Sequence, residues 1–509
     1  MNIRAGLLRP SPIWRQFMAQ EGLDCVELQS PEEISAEGFS VLIAPARTSA
    51  ADVSALAAYL ASGGAVLGSA SALSGLMESR EEHLRFILAA DEFSSAGVID
   101  LEVDALVPRE ANVLRTPSDT FATFAGEWKG GVAVVLPFDP AEALTDVRAR
   151  FRSFYLNRDR LPWERVSLVA KGGVRQLVRD ALIYLHRARG IPYVHTWYYP
   201  DGHPNTFIFR IDTDGAAPRD IESLYGLLEE YRLPASWFLD VKTQSAMLHR
   251  YREFAGHDIG VHCDEHRIFK TEAENRANID RALSAMRATG HQPVGFAAPY
   301  GYWDLFLGNV IDQIGFAYSS EVSWAYDTLP GVPVTPAGEY KTLQVPIHPV
   351  SVGILRRAGC PPEAMTTYFA SAVRRRLRTG EPMFFYHHPS HREWGTMRGL
   401  FEAVRETGVP SVTMAEFAGW WRKRTASRMS VRSAGGSLVI DGGGGDVWLS
   451  VVTADGRHAL VPPTREIQLS TLHARPLGPL EVPRDVLRSR EWDFREYLGQ
   501  VFLQWRGGR

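Results

Sequence analysis

Two aspartates, Asp212 and Asp214, follow the apolar run that begins at Phe207 and are separated only by Thr213. Alternate residues of a β-strand project to the same face, so both carboxylates are predicted to face the same way. Two carboxylates on one face repel each other unless a cation lies beside them. A metal ion would bind one of them and leave the other free as a base. The alternative is an Asp-rich turn that caps the helix predicted after Pro218.

A pair of histidines, His262 and His266, lies four residues apart at the end of a second apolar run. Neutral imidazoles are common ligands of zinc-like metals, and such a pair can close on one cation. The pair differs from the helical H-E-x-x-H motif because Cys263 follows the first histidine and the pair begins at a strand end. A thiolate ligand from Cys263 is the alternative, but with Asp214 and both imidazoles it would fill a tetrahedral site.

A late apolar run ends in two adjacent histidines, His387 and His388, before Pro389. A histidine at a strand end can act as a general acid. Adjacent strand residues face opposite ways, so a packing role is the alternative for either ring. The aspartate pair, the histidine pair and the late histidine each end a different predicted strand, and this conjunction indicates a catalytic site.

The elements that must position these residues alternate between strand and helix from residue 200 to residue 425. Amphipathic segments at 218–231, 274–287 and 362–377 separate the apolar runs. Seven or eight β/α units predict a distorted barrel, whose site is expected at the carboxyl ends of its strands. The predicted strands are 207–212, 235–239, 258–262, 294–298, 316–320, 343–347, 383–387 and 411–414.

Three flanking segments have other patterns. Residues 1–150 alternate strand and helix, which predicts a doubly wound α/β domain. Residues 151–199 are predicted to be a connector with one helix at 174–189. Residues 426–509 contain short apolar runs separated by Gly/Asp turns, which predicts a small β-sandwich.

At the catalytic motifs the sequence resembles the NodB-type polysaccharide deacetylases, carbohydrate esterase family 4. The Asp-Asp motif of this family matches Asp212 and Asp214, with Thr213 inserted between them. The His-Ser/Thr-x-x-His motif matches His262 and His266, with Cys263 in place of the hydroxyl residue.

Later family motifs match less completely. The Arg-x-Pro-Tyr/Phe-Gly motif matches the segment that ends in Pro299-Tyr300-Gly301, but Ala297 stands where the family has an arginine. The Trp-containing motif is matched only weakly at Trp324, for which the resemblance implies a place in the wall of the acetyl pocket and a place in the core is the alternative. In the family the missing arginine orients the catalytic aspartate, and we hypothesise that Arg210, two residues before Asp212, takes over this role.

The resemblance implies hydrolysis of an N-acetyl group on an acetamido sugar, assisted by Zn²⁺ or by a similar divalent ion such as Co²⁺ or Ni²⁺. It implies Asp214, His262 and His266 as the metal ligands. It implies Asp212 as the base and the Tyr300 backbone N–H as an oxyanion donor. His388 is the best match for the general acid, and His387 is the fallback.

The first domain resembles glutamine-amidotransferase-like, flavodoxin-like domains. Catalytic members of that group carry a cysteine nucleophile in a sharp turn, and the corresponding turn here, 68–72, has none. A non-catalytic domain that supports homo-oligomers is expected, with Ser69 or Ser71 as a substitute nucleophile being the alternative.

Composition limits the remaining possibilities. Lys+Arg number 55 and Asp+Glu number 59, so no nucleic-acid partner is expected. The basic run Arg374–Arg376 is predicted to be a solvated helix face. No run of 18 apolar residues occurs, so no membrane span is expected, and the short apolar start and three cysteines favour the cytoplasm.

A cytoplasmic location would favour nucleotide-linked or lipid-linked sugars over polymers such as chitin. Two other functions stay open. One is an amidohydrolase of the same barrel that acts on a non-sugar amide, and the other is an inactive glycan-binding module.

Overall fold

The fold comes from a computed structural model that describes residues 1–476 except 36, 45–47, 90–91, 95, 155–161 and 444. The chain forms two compact units, each assembled from separate stretches of sequence. The first comprises Met1–Asp146, Val169–Gly202 and the described residues from Arg422 onwards, and the second comprises Val147–Leu168 and His203–Trp421. The second unit, called the barrel unit below, contains all the predicted catalytic residues.

The first unit is built on a nine-stranded sheet. Its first five strands are parallel, and buried apolar runs such as Val41–Ile43 are typical of parallel strands. The remaining four strands are antiparallel, and the sequence pattern did not predict them. Its helices are Pro12–Glu21, Ala50–Ala61, Pro140–Leu144 and Lys171–Ala188. In spatial order the strands are Cys25–Leu28, Ala5–Leu8, Val41–Ile43, Ala65–Ser69, Gly131–Leu136, Phe121–Trp128, Val113–Arg115, Ser79–Ala89 and Gly97–Pro108.

Two small antiparallel sheets complete the first unit. One consists of Met429–Ala434, Ser437–Gly442 and Glu466–Gln468. The other consists of Tyr193–Thr196, Leu449–Val452, Arg457–Val461 and Arg475–Pro476. A strand from the predicted connector thus pairs with strands of the predicted sandwich, and the rest of the sandwich prediction, from 477 onwards, lies outside the described residues.

The barrel unit is organised around a seven-stranded sheet in which all strands are parallel, which confirms the predicted mixed α/β class. The sheet order is β6-β5-β4-β3-β2-β1-β7. The strands are β1 (Phe207–Asp212), β2 (Ser236–Leu239), β3 (Asp258–Val261), β4 (Gly295–Phe296), β5 (Tyr318–Ser319), β6 (Leu343–Gln344) and β7 (Met383–His387).

The sheet curls so that the chain after β6 approaches β7. The His348 N–H donates to the Phe384 carbonyl at 2.8 Å, and the Tyr386 hydroxyl donates to the Pro349 carbonyl at 3.2 Å. The predicted eighth strand, 411–414, makes only an isolated bridge from Ser411 to Phe207, because the chain enters a helix at Met414.

A buried polar network lies beside this junction. The Asp327 carboxylate accepts hydrogen bonds from Arg376 and from His348, whose Nδ1 is 3.0 Å away. The His348 Nε2 lies 2.7 Å from the Tyr368 hydroxyl. The prediction that Arg376 belongs to a solvated face is therefore wrong, because this side chain is buried against a carboxylate.

Helices pack their apolar faces on the sheet. The three predicted helices lie within two residues of the observed bounds, and α1 begins with the proline that favours a first helical turn. The helices are α1 (Pro218–Tyr231), α2 (Glu272–Ala288), α3 (Leu305–Ile314), α4 (Val352–Arg357), α5 (Pro362–Thr379), α6 (Trp394–Thr407) and α7 (Met414–Ala426).

Two short antiparallel pairs also belong to the barrel unit. The strands Ala149–Ser153 and Trp163–Ser167, called the accessory strand pair below, come from the predicted connector. The Ser167 N–H donates to the Val322 carbonyl at 3.0 Å, which anchors this pair beside the chain that follows β5. The other pair is Val334–Thr335 with Gly338–Glu339.

None of the described helices combines the length and apolarity that a bilayer crossing requires.

Candidate active site

The predicted site residues meet at the carboxyl edge of the barrel sheet. Asp212 ends β1, His262 follows β3 and His388 follows β7. Neighbouring parallel strands end at the same edge, so residues separated by 50 to 180 positions in sequence are brought together there. The register pairs Ile211 of β1 with His387 of β7, which places Asp212 and His388 at adjacent strand ends.

Asp214, His262 and His266 form a compact cluster. The Nε2 atoms of His262 and His266 lie 3.0 Å and 2.9 Å from the two carboxylate oxygens of Asp214. The potential ligand atoms all lie within 4.8 Å of one another. This spacing is compatible with three ligands that face one ion.

The hydrogen bonds of the cluster fit a divalent cation. The His262 Nδ1 donates to the Ala297 carbonyl at 2.6 Å, and a carbonyl can only accept, so the Nε2 of the neutral ring carries no proton. That Nε2, the Nε2 of His266 and the Oδ1 of Asp214 are buried and lack hydrogen-bond partners among the described residues. Lone pairs that converge in this way form a ligand set that fits a cation.

Charges in the cluster reinforce one another. Burial alone would raise the pKa of Asp214, but the His262, His266 and His388 rings outweigh burial and hold this pKa far below its usual range. Burial alone would lower the pKa of His262, but the Asp214 carboxylate outweighs it and raises this pKa. Cys263 lies outside the cluster, because its side chain packs in the hydrophobic core.

Arg210 and Asp212 form a buried bidentate ion pair. The Nε and Nη2 of Arg210 donate to the two carboxylate oxygens of Asp212, each at 2.7 Å. The Nη1 donates to the Ser320 carbonyl at 2.5 Å, which ties the guanidinium to the end of β5. Both side chains are almost fully buried. The guanidinium therefore holds the Asp212 carboxylate in one orientation at the site.

The two adjacent histidines have different surroundings. The His388 Nε2 lies 3.4 Å from Asp214 Oδ2 and 3.9 Å from Asp212 Oδ2, and its side chain lines the cavity described below. His387 is fully buried and stacks on Phe209 with ring centroids 6.5 Å apart. Only His388 faces the carboxylates, since adjacent strand residues point to opposite sides.

Tyr300 and Trp324 also differ in placement. Tyr300 has a positive φ of 60°, lines the cavity, and sets its ring 4.7 Å from that of His266. A non-glycine residue in this region of φ is strained, and such strain is common at functional sites. Trp324 does not line the cavity, and its ring packs 4.7 Å from that of Trp303, which is the core role named as the alternative.

A cavity of about 450 Å³ opens over the site. Sequence reasoning missed several of its lining residues, most of which come from elements outside the recognised motifs. Glu164 belongs to the accessory strand pair, and burial raises the pKa of its carboxyl. The missed lining residues include Glu164, Ser351, Arg356, Arg357, Tyr386 and His391.

A second missed carboxyl lies beneath the segment that carries Tyr300. Glu321 is fully buried and accepts from the Ala298 N–H at 3.2 Å, the Ser319 hydroxyl at 3.0 Å and the Gln344 amide at 2.6 Å. Burial raises the pKa of Glu321 to about 7. Its only sequence signal was a position two residues after a short strand.

Residues 211–319 match the polysaccharide deacetylase family model. No curated protein sequence matches the chain. The matched segment lies within the barrel unit and agrees with the resemblance drawn from the motifs.

Several solved structures are similar to part of the chain. A provisionally assigned polysaccharide deacetylase from Mycobacterium smegmatis is 19% identical, with 44% of this chain and 92% of that chain covered and a TM-score of 0.38. A family 4 carbohydrate esterase from Streptomyces lividans is 16% identical, with 41% and 91% covered and a TM-score of 0.29. A PuuE allantoinase is 16% identical, with 44% and 92% covered and a TM-score of 0.37.

Proposed function

We propose that this protein is a metal-dependent hydrolase that removes the N-acetyl group of an acetamido sugar and releases acetate. The observation that carries the proposal is the Asp214, His262 and His266 cluster beside the Arg210-bound carboxylate of Asp212. The proposed substrates include oligomeric, polymeric, nucleotide-linked and lipid-linked acetamido sugars.

The three-residue cluster would hold the ion, with Zn²⁺ proposed first and Co²⁺ or Ni²⁺ as alternatives. A bound divalent ion supplies Lewis acidity, which polarises an amide carbonyl and lowers the pKa of water. The Ala297 carbonyl keeps the proton of His262 on Nδ1, so that Nε2 is available as a ligand.

The remaining residues would move protons and bind the reacting carbonyl. Asp212, held by Arg210, accepts the proton of the attacking water. His388, near both aspartates, delivers a proton to the departing amine. The Tyr300 backbone N–H stabilises the oxyanion, and loss of one such donor typically reduces the rate by about 10²–10³-fold.

A second candidate is hydrolysis of a non-sugar amide on the same barrel. The observation that favours this candidate is Ala297, which stands where the family has an arginine. The two candidates share the metal ligands and differ in the substrate. Acetate release from acetamido sugars therefore discriminates between them.

The test compares wild type with Asp214→Asn after both have been loaded with Zn²⁺ and dialysed. Bound metal is measured by elemental analysis, and acetate release is measured with a panel from nucleotide sugars to chitin oligosaccharides. The matched control is Asp264→Asn, because Asp264 lies between His262 and His266 in sequence but pairs with Arg281 at 3.0 Å outside the cluster.

We expect metal and acetate release in wild type and in the control, and loss of both in Asp214→Asn. Metal without acetate release would direct the search to non-sugar amides. Absence of bound metal in wild type would refute the proposal and favour an inactive glycan-binding module.

A further inference from the structure

One wall of the cavity carries two adjacent arginines at the end of α4. Arg356 and Arg357 both line the cavity, together with Glu164 from the accessory strand pair. Neither arginine belongs to the motifs that carry the proposed chemistry, and both lie beyond the matched residues 211–319. They therefore need an explanation of their own.

Most of the other charges in the cavity are paired. The Arg210 guanidinium is bound by Asp212, and the Asp214 carboxylate contacts two histidines. The Arg357 guanidinium faces Glu164, with Nη2 3.6 Å from Oε2.

Arg356 differs from these groups because it makes no ion pair with any residue that the structure describes. Its Nη1 donates to the His391 carbonyl at 3.2 Å, which orients the solvent-exposed guanidinium without supplying a counterion. A guanidinium recognises carboxylate and phosphate groups through several parallel donors.

The position of Arg356 is built into the packing of α4. A Cβ atom at Gly353 would overlap the His391 imidazole, so the glycine lets this helix approach His391 closely. Burial, with the charges of His388, Arg356 and Arg357, lowers the pKa of His391 to about 3. This ring is therefore neutral near pH 7 and does not compete with Arg356 for an anion.

We propose that Arg356 forms an anion subsite, so that the preferred substrate is an acetamido sugar that also carries a carboxylate or a phosphate group. This inference rests on the proposed deacetylase function and names the class of sugar. The cavity, at about 450 Å³, is within the size range of sites that enclose a small ligand. Carboxylate and phosphate share the chemistry that a guanidinium recognises, and the substrate series distinguishes them.

The kinetic test uses three matched substrates: methyl N-acetylglucosaminide, its 6-phosphate and the corresponding 6-carboxylate. The value of kcat/KM is measured for the Zn²⁺-loaded wild type and for Arg356→Gln. The matched control is Arg374→Gln, because Arg374 is an exposed arginine on α5 away from the cavity lining.

We expect wild type to prefer one anionic substrate over the neutral one through a lower KM. Arg356→Gln should reduce kcat/KM for that substrate by about ten- to hundredfold, the range for a hydrogen bond to a charged group. The loss in kcat/KM should be smaller for the neutral substrate, because that substrate carries no anion for Arg356 to bind. Arg374→Gln should retain the preference for the anionic substrate. The preferred substrate shows whether the subsite binds a phosphate or a carboxylate group.

A binding measurement separates failure of this subsite from failure of the deacetylase function. Calorimetry with glucosamine 6-phosphate and with the 6-carboxylate of glucosamine requires no turnover. Anion binding that is lost in Arg356→Gln would support the subsite even if no acetate is released from any substrate. Equal binding and equal substrate preference in wild type and Arg356→Gln would overturn it.

Discussion

Replacement of Arg210 by glutamine is expected to destabilise the barrel unit by about 3–5 kcal/mol, the usual cost of removing one partner of a buried ion pair. Arg210 donates to both oxygens of Asp212 at 2.7 Å and to the Ser320 carbonyl at 2.5 Å. Glutamine cannot supply these donors, so the carboxylate of Asp212, only 3% exposed, would remain buried without its cation. Loss of the donor to the Ser320 carbonyl contributes about 1–3 kcal/mol of this cost.

A double-mutant cycle with Asp212→Asn isolates the pair, because contributions of the other compact unit cancel in it. Urea unfolding is measured for wild type, both single variants and the double variant. We expect the double variant to cost less than the sum of the singles, with a coupling energy of about 2–3 kcal/mol. Arg219→Gln is the matched control, because its side chain is 76% exposed, and it should change stability by less than about 0.5 kcal/mol.

The Arg210→Gln variant is expected to lose turnover as well as stability. A carboxylate that is displaced by about 1 Å can cost about 10²-fold, so kcat for acetate release should fall by about this factor with KM little changed. Arg210→Lys should not restore kcat, because an ammonium cannot make the bidentate contact. If Arg210→Gln changed neither the unfolding free energy nor kcat, the ion pair would have no role in stability or in positioning Asp212.

Two further predictions concern buried positions near the site. The pKa of Glu321 is raised by burial to about 7, so its carboxyl ionises in the unfolded chain at lower pH than in the folded chain. Stability should therefore fall as pH rises from about 4.5 to about 7, by about 3 kcal/mol in total, and Glu321→Gln should abolish this slope in urea unfolding at a series of pH values. Gly353→Ala should overlap the His391 ring and destabilise the protein by about 1–3 kcal/mol. An unchanged thermal midpoint in this variant would show that α4 can shift without cost.

The sequence predicted the parts of the barrel that depend on local pattern. The apolar runs that form β1 and β7 and the amphipathic period of α1 were visible within a few residues, because strand and helix periodicity are local properties. The spacing of His262 and His266 was likewise readable, because a short loop after a strand restricts where two rings can lie. These features were sufficient to indicate the deacetylase resemblance that the match over 211–319 supports.

Tertiary structure decided which residues meet. Three features depend on how distant segments pack. They are the hydrogen bond from Arg210 to Ser320, the burial of His387 behind Phe209 and the position of Glu164 in the cavity wall. Strand order decides these contacts, and a single sequence does not report strand order, because many orders would bury the same apolar runs.

The division of the chain into compact units also depends on tertiary packing. The predicted boundaries at residues 150, 199 and 425 follow the order of the chain, and each compact unit combines separate segments of sequence. Composition and periodicity predicted many of the helices and strands, because these depend on neighbours in sequence. The partners of those elements, the charge balance of the cavity and the free guanidinium of Arg356 depend on three-dimensional packing, and for this reason only the tertiary structure could determine them.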